Sequence, residues 1–429
     1  MASLSVVNKI KSKLKSASPQ RVMDDQIVAL DIGTEYVKAL VGKVSGDEIS
    51  IFGVGRTHQQ LSDMHSGAIA DISAVVANCS RALTIAEEMA GFSAKKAIIG
   101  IAGELVKGIT HTVTYKRPDP KEPIDAREIG LIIEKAQERS EDKARAELAW
   151  ETGNNEMDIK LVNSAIVAIY IDTYKVSNPI GFQGGRVTVQ LYSAFAPMIH
   201  IGALERTAQE LDLDLMAVAA EPFAVSRSII GTDASSNLTA IMVDIGGGTT
   251  DIAVVDDGGV QGTKMFGIGG RSFTKTIAQE LDMDFVLAEK LKLHINSPNQ
   301  PTHVRAHALK AVDKTIDVWI SGVELALSEF KNLDHLPNKI LLCGGGASLG
   351  PLVEALNKTD WYKDLPFTNK PIIQHIKPEE VSGIHDLTDR LNDHTFITSM
   401  GLLRVGYDTM VSSRKNSEIS ESIQRMLRN

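Results

Sequence analysis

Two stretches of this chain place an acid at the end of an apolar run and follow it with bare backbone. The stronger, "VDIGGGTTDIAVV", runs from Val243 to Val255. It puts Asp244 before Gly246, Gly247 and Gly248, then Thr249, Thr250 and a second acid, Asp251. The weaker, "ALDIGTEYVKALV", carries Asp31, Gly33, Thr34 and Lys38. A glycine turn between strands leaves N–H groups free to point at one spot, a nest suited to phosphate oxygens. Side chains there would block the approach. Asp31 and Asp244 cannot touch phosphate, because like charges repel. They can hold a hydrated Mg²⁺ that bridges to it, since Mg²⁺ keeps most of its waters. Thr249 and Thr250 add hydroxyl donors, and Lys38 offers a cation to a phosphate. A third turn, "CGGGASLG", follows a strand and opens a helix, a geometry that packs backbone against a flat ring or a phosphate. One glycine triplet alone is an ordinary tight turn. Three such turns, two of them with acids at the strand end, point to a shared ligand. The acidic turns lie more than a domain's length apart, so two similar lobes must face each other across a cleft.

The totals bound this reading. A chain of 429 residues exceeds one simple core. A net charge of −9 and 5% aromatics argue against nucleic acid as partner. The two cysteines, Cys79 and Cys343, are far apart in apolar settings and read as reduced core thiols of a cytoplasmic protein. No Cys/His cluster suggests a structural metal. No apolar run is long enough to span a bilayer, so any membrane contact is peripheral.

Residues 1–25 stand apart. Leu4, Val7, Ile10 and Leu14 recur at helical spacing among Lys9, Lys11, Lys13 and Lys15. Such a segment either lies on an anionic membrane or is a solubilising basic arm. Strands then dominate to about residue 58. A helix follows in "DISAVVANCSRALTIAEEMAG" with Gly91 as its stop. The stretch 95–197 reads as an inserted unit of strands around one helix. That helix starts at Asp125 with Glu128 three residues on, a capping-box pattern.

At this point a family shows itself. "LDIGTEYVKALVG" and "VDIGGGTTDIAVV" resemble the two phosphate motifs of the actin / sugar kinase / heat-shock chaperone ATPase superfamily. "LLCGGGASLGPL" resembles its adenosine motif and "AAEPFAVSRSII" its connecting helix. "GIGGRSFTKTIAQEL" with "AEKLK" resembles the segment that cradles ribose and adenine. Within the superfamily the chain is most similar to the FtsA/PilM branch, through "HSGAIADISAVVANCSRALTIAEEMAG" and "SMGLLRVG".

The resemblance implies an α/β, two-lobed actin-like (ribonuclease H-like) ATPase fold with an FtsA/PilM-type inserted subdomain. It implies a basic arm at 1–25, first-lobe segments at 26–94, 198–231 and 398–408, the insertion at 95–197, a second lobe at 232–397 and a tail at 409–429. ATP and Mg²⁺ are the implied cofactors, with Asp31 and Asp244 organising the metal. Gly33, Thr34, Gly246, Gly247, Gly248 and Thr249 would contact phosphates, and Gly269 and Gly270 the ribose and phosphates. Glu289 and Lys292 would contact ribose and base, and Gly344, Gly345 and Gly346 would pack on adenosine. Glu221 sits where the superfamily often has the residue that positions attacking water. The lesser alternative is a first-turn acid beside a helix dipole.

The implied role is that of an FtsA-like adaptor. It would be cytoplasmic, peripheral on the inner face of the cell membrane, bound to the FtsZ C-terminal tail, and self-associating. Any ATP hydrolysis would be slow. Two departures bear on this. Only "LHINSPNQPTHVRAHAL" stands where FtsA has the larger subdomain that meets the FtsZ tail. The tail "RKNSEISESIQRMLRN" puts Ile419, Ile423, Met426 and Leu427 on one helical face but has no aromatic. It reads as a weak amphipathic anchor or a frayed end. A PilM-like platform for pilus or secretion assembly is the rival reading. A small-molecule kinase or a chaperone ATPase is a third, since fold analogy alone does not exclude a kinase. No sugar-binding segment stands out, and the chain ends too soon for a chaperone's substrate domain.

Overall fold

The computed structural model describes residues 25–154, 156–231, 237–297 and 301–413. The basic arm, apart from Asp25, and the tail from residue 414 lie outside the described residues.

Two sheets carry the lobes. The first begins with β1 (Gln26–Ile32), β2 (Tyr36–Ser45) and β3 (Glu48–His58) as an antiparallel meander. A small hairpin, β4 (Met64–His65) and β5 (Ala68–Ile69), leads into the helix Ile72–Ala90. Asp71 caps that helix through the Ala74 N–H at 3.0 Å, and Gly91, the stop that the sequence predicts, ends it in the left-handed region. β6 (Lys96–Ile101) then pairs parallel to β1, on the side away from β2. The implied boundary at 95 therefore assigns to the insertion a strand that belongs to the first-lobe sheet. Its apolar run "AIIGI" reads the same in either place, and only pairing with a distant strand distinguishes them.

The insertion is built from β7 (Lys107–Lys116), the helix Ala126–Thr152, β8 (Ile159–Ile171), β9 (Tyr174–Val176) and β10 (Arg186–Pro197). It has its own core around Ile129, Ile133, Val189 and Leu191. Asp125 caps the helix through the Glu128 N–H at 2.7 Å. The reciprocal half of the expected capping box does not form. The Glu128 carboxylate instead takes a bidentate contact from Arg117, 2.9 Å at each oxygen, which fastens the helix to β7.

The helix Met198–Glu210 and β11 (Asp214–Ala220) return to the first sheet, and β11 runs parallel to β6. The central helix Glu221–Ile230 leads to the second lobe. There β12 (Ala240–Ile245), β13 (Thr250–Asp256) and β14 (Gly259–Phe266) repeat the meander. The helices Gly270–Glu280, Phe285–Leu293 and Thr302–Ser328 cover one face. β15 (Lys339–Cys343) and β16 (Ile372–His375) then add parallel strands beyond β12. The strand orders β11-β6-β1-β2-β3 and β16-β15-β12-β13-β14 are the same pattern twice. Separate apolar cores around Leu30 and Ile98, and around Trp319 and Ile241, give each lobe its own interior.

β17 (Ile384–Asp386) pairs with β3, so the chain has rejoined the first sheet before the implied return at 398. The last helix, Ile397–Ser413, continues past 409, and Met410 is still buried against the first lobe. Among the described residues, no helix is long and apolar enough to cross a membrane. Cys79 and Cys343 are free and fully buried. Burial pushes the Cys79 thiol up to about 12.

Candidate functional site

The two acidic turns join antiparallel strands in equivalent ways. In the first lobe Asp31 lies directly opposite Lys38; in the second Asp244 lies directly opposite Asp251. The turns face each other across a cavity of about 390 Å³ between the lobes. A Cβ built on Gly248 would lie 2.6 Å from Thr34 Oγ1, and one on Gly247 2.8 Å from Glu35 Cβ. Bare backbone at these two positions therefore lets the lobes close on each other.

Asp31, Asp244, Asp251 and Glu221 all line the cavity and are each less than a tenth exposed. Asp31 accepts hydrogen bonds from Lys38 Nζ at 3.1 Å and Ser399 Oγ at 2.7 Å. Thr398 Oγ1 donates to Asp244. Thr398 and Ser399 stand in the first turn of the last helix, so this one helix end holds an acid of each lobe. Thr249 donates to Asp251 Oδ2 at 3.3 Å, while Asp251 Oδ1 is buried without a partner. Glu221 opens the central helix.

Burial and mutual repulsion shift three of these four carboxyls. Burial, then the charges of Asp31, Asp251 and Asp244, holds the Glu221 carboxyl well above the usual range. Burial and then Asp244 do the same to Asp251. Burial also raises Asp244, against the Thr398 hydroxyl and Lys38. Lys38 is pulled down by burial, but the charges of Asp31, Asp244 and Glu221 outweigh this and hold it above its ordinary value.

The excess of buried negative charge and the orphaned Asp251 oxygen fit a cation. Among the described residues the acids do not converge into a closed metal cage. Mg²⁺ needs none, because one or two carboxylates and its own waters suffice.

A test of this electrostatic account is Glu221→Gln. An acid whose folded value is raised destabilises the fold as pH rises from its unfolded value, here an ordinary 4.5, through its folded one. The ligand-free variant is therefore expected to be more stable than wild type at pH 7.5, by about 1.4 kcal/mol per unit of raised pKa. The gain should vanish below the ordinary value. Urea midpoints for both chains across this range measure the difference. A difference that does not change with pH would contradict a raised Glu221.

The remaining residues singled out in the sequence take varied places. Gly33, Thr34, Gly246, Gly247, Thr249, Gly270, Gly344, Gly345 and Gly346 line the cavity. Gly248 and Gly269 do not. A Cβ on Gly269 would lie 2.7 Å from the Gly246 carbonyl, so that glycine serves packing between turns. Thr250 is turned away. It donates to the Ile268 carbonyl at 2.7 Å and accepts from the Trp319 indole at 2.8 Å. Lys38, offered to a phosphate, is held by Asp31. Glu289 and Lys292 line the cavity as an ion pair at 2.8 Å, with Lys292 also bound to the Gly270 carbonyl at 2.9 Å. Gly344 has φ +81°, and a Cβ there would fall 2.1 Å from Asp244 Oδ1, which ties the third turn to the second. The sequence reading missed Thr398, Ser399, Arg271 and Glu35. They lie outside the glycine turns or carry no pattern of their own.

Comparison with known proteins finds FtsA relatives. The model of the family "Cell division protein FtsA" matches residues 241–401, from β12 into the last helix. Over 402 residues the chain is 27% identical to the cell division protein FtsA of Pseudomonas aeruginosa, covering 89% of each. It is 27% identical to that of Neisseria meningitidis over 400 residues, with 88% of this chain and 89% of the relative covered. The chain is thus similar to FtsA over most of its length. Among solved structures, one of a "PilM-PilN type IV pilus biogenesis complex" superposes with a TM-score of 0.63 at 16% identity, covering 89% of this chain and 98% of that one. This supports the two-lobed actin-like fold. These curated relatives are cell division proteins.

Proposed function

We propose that this chain is an ATP-binding, membrane-associated cell-division protein that links FtsZ to the cytoplasmic membrane and self-associates. The observation that carries the nucleotide reading is the cluster of buried carboxylates between two facing glycine turns. Asp31 and Asp244 would hold Mg²⁺, which would supply the positive charge that lets phosphates approach this acidic wall. The backbone N–H groups of Thr34 and Gly247 would receive phosphate oxygens, those of Gly33 and Gly246 being used within the turns on the Tyr36 and Thr249 carbonyls. Gly345, against which a Cβ would meet nothing within 4 Å, leaves an open face for adenosine. Burial, and then its acidic neighbours, hold the Glu221 carboxyl well above the usual range, and any hydrolysis that it assists would be slow. A ligand that holds both lobes would fix their relative angle, and head-to-tail contacts between copies would then extend into filaments. The segments 1–25 and 414–429 would act as two weak membrane anchors, adding through effective concentration.

The PilM-like platform is the second reading. Its support is the short connection between the helices Phe285–Leu293 and Thr302–Ser328, where FtsA has its larger subdomain. The two readings part on a binding measurement with Mg-ATP and two immobilised peptides. One is the C-terminal tail of FtsZ from the same cell, the other the N-terminal segment of its inner-membrane pilus partner. Retention on the FtsZ tail alone is expected. Retention on the pilus peptide alone would move the chain to the platform class.

A further inference from the structure

Among the described residues, one ion pair crosses the cleft. Glu35 stands in the first-lobe turn, and Arg271 stands in the first turn of the second-lobe helix Gly270–Glu280. Arg271 Nε donates to Glu35 Oε2 at 2.7 Å, and the side chains are only 15% and 20% exposed. The Arg271 backbone N–H donates to the Gly247 carbonyl at 2.7 Å, which fixes the side chain's origin against the second phosphate turn. Its Nη2 reaches the Gln60 carbonyl at 3.4 Å. The other Glu35 oxygen lies 2.7 Å from His58 Nε2. A second bridge lies alongside, where the Gly267 N–H donates to Glu104 Oε1 at 2.6 Å. Four cations line the cavity. Lys38 is engaged by Asp31 and Lys292 by Glu289, each within its own lobe, and Arg56 stacks on Tyr36 at 3.5 Å. Arg271 is the one of the four neutralised by an acid of the opposite lobe.

We propose that Arg271 is the phosphate-recognising cation of this cleft and that Glu35 is its built-in competitor. The pair latches the lobes until an entering polyphosphate takes the guanidinium. The inference rests on the nucleotide reading above. A guanidinium donates to carboxylate and phosphate oxygens alike, so one anion can replace the other. A buried guanidinium with neither would be costly, which gives the ligand-free chain a reason to keep Glu35 in place. The exchange also frees Glu35 from the second lobe, so occupancy of the site and release of the latch are one event.

The test uses the full chain and the variants Glu35→Gln, Arg271→Gln and the double substitution. Small-angle scattering reads the lobes without nucleotide, and a fluorescent ATP analogue with Mg²⁺ reads affinity. Without nucleotide, both single variants are expected to show a larger radius of gyration than wild type. Glu35→Gln is expected to bind the analogue several-fold more tightly, and Arg271→Gln about ten-fold more weakly. The double variant should match Arg271→Gln, because no competition remains once the cation is gone. Unchanged or weaker binding by Glu35→Gln overturns the proposal. So does a double variant that differs from Arg271→Gln by the factor separating Glu35→Gln from wild type. Should a variant fail to fold, Arg271→Lys keeps the charge without the fork and is expected to bind between wild type and Arg271→Gln; equality with wild type counts against the role. If the wild-type chain binds no nucleotide at all, the nucleotide reading fails and Arg271's phosphate role with it. The scattering result then decides whether the latch exists.

Discussion

Replacing Asp244 with alanine is expected to abolish stabilisation by Mg-ATP while leaving the ligand-free protein about as stable as before. The two halves of this result have different origins. Without ligand, Asp244 is a buried charge among Asp31, Asp251 and Glu221. Removing it relieves repulsion and leaves the Thr398 hydroxyl without its acceptor, two changes of opposite sign. With ligand, the same carboxylate is one of two proposed metal holders. A ligand at a hundred times its dissociation constant stabilises the wild type by about 2.7 kcal/mol. The variant should show none of this. Asp244→Asn, which keeps the shape and drops the charge, should behave like the alanine variant if charge is what matters. Thermal melts with Mg-ATP and with ATP plus chelator measure all three chains. Equal Mg-ATP shifts in wild type and variants would remove Asp244 from the site.

The second large effect is expected at Gly401, where no charge is involved. The last helix crosses the central helix so closely that a Cβ on Gly401 would lie 2.2 Å from the Ala224 carbonyl oxygen and 2.6 Å from its carbon. Both obstacles are backbone, so no rotamer change relieves them. Gly401→Ala must separate the helices and is expected to cost about 3 kcal/mol, at the upper end for an overpacked core. It should also weaken nucleotide binding, because the crossing carries Glu221 on one helix and Thr398 and Ser399 on the other. Denaturant midpoints and analogue binding by the folded fraction measure the two effects separately. A variant as stable as wild type would show that the crossing can relax.

These cases show where sequence reading reaches and where it stops. Asp31, Asp244 and the glycines beside them are legible because acid and turn are neighbours in the chain. Their hydroxyl partners are not: Ser399 meets Asp31 across 368 residues, and Thr398 meets Asp244 across 154. Gly248 and Gly269 read as ligand-facing because a glycine needed for a phosphate and one needed for a neighbouring backbone look alike in one dimension. Strand membership has the same limit. Lys96–Ile101 and Ile384–Asp386 join the first sheet through distant partners, which local pattern does not name. The Glu128 capping box fails because Arg117, eleven residues earlier, offers a stronger partner.

The repeated strand order has a consequence at one position. The hairpins are equivalent, and in each the residue seven places after the acid lies directly opposite it. In one copy that residue is lysine and in the other aspartate. The first pair sums to no charge and the second, when ionised, to two negative charges. Two identical half-sites would leave a molecule between them equally content in either direction. Here that side chain is one of the differences that break the rotational symmetry of the frame, so a ligand with a charged end and a neutral end meets unlike surroundings in its two directions.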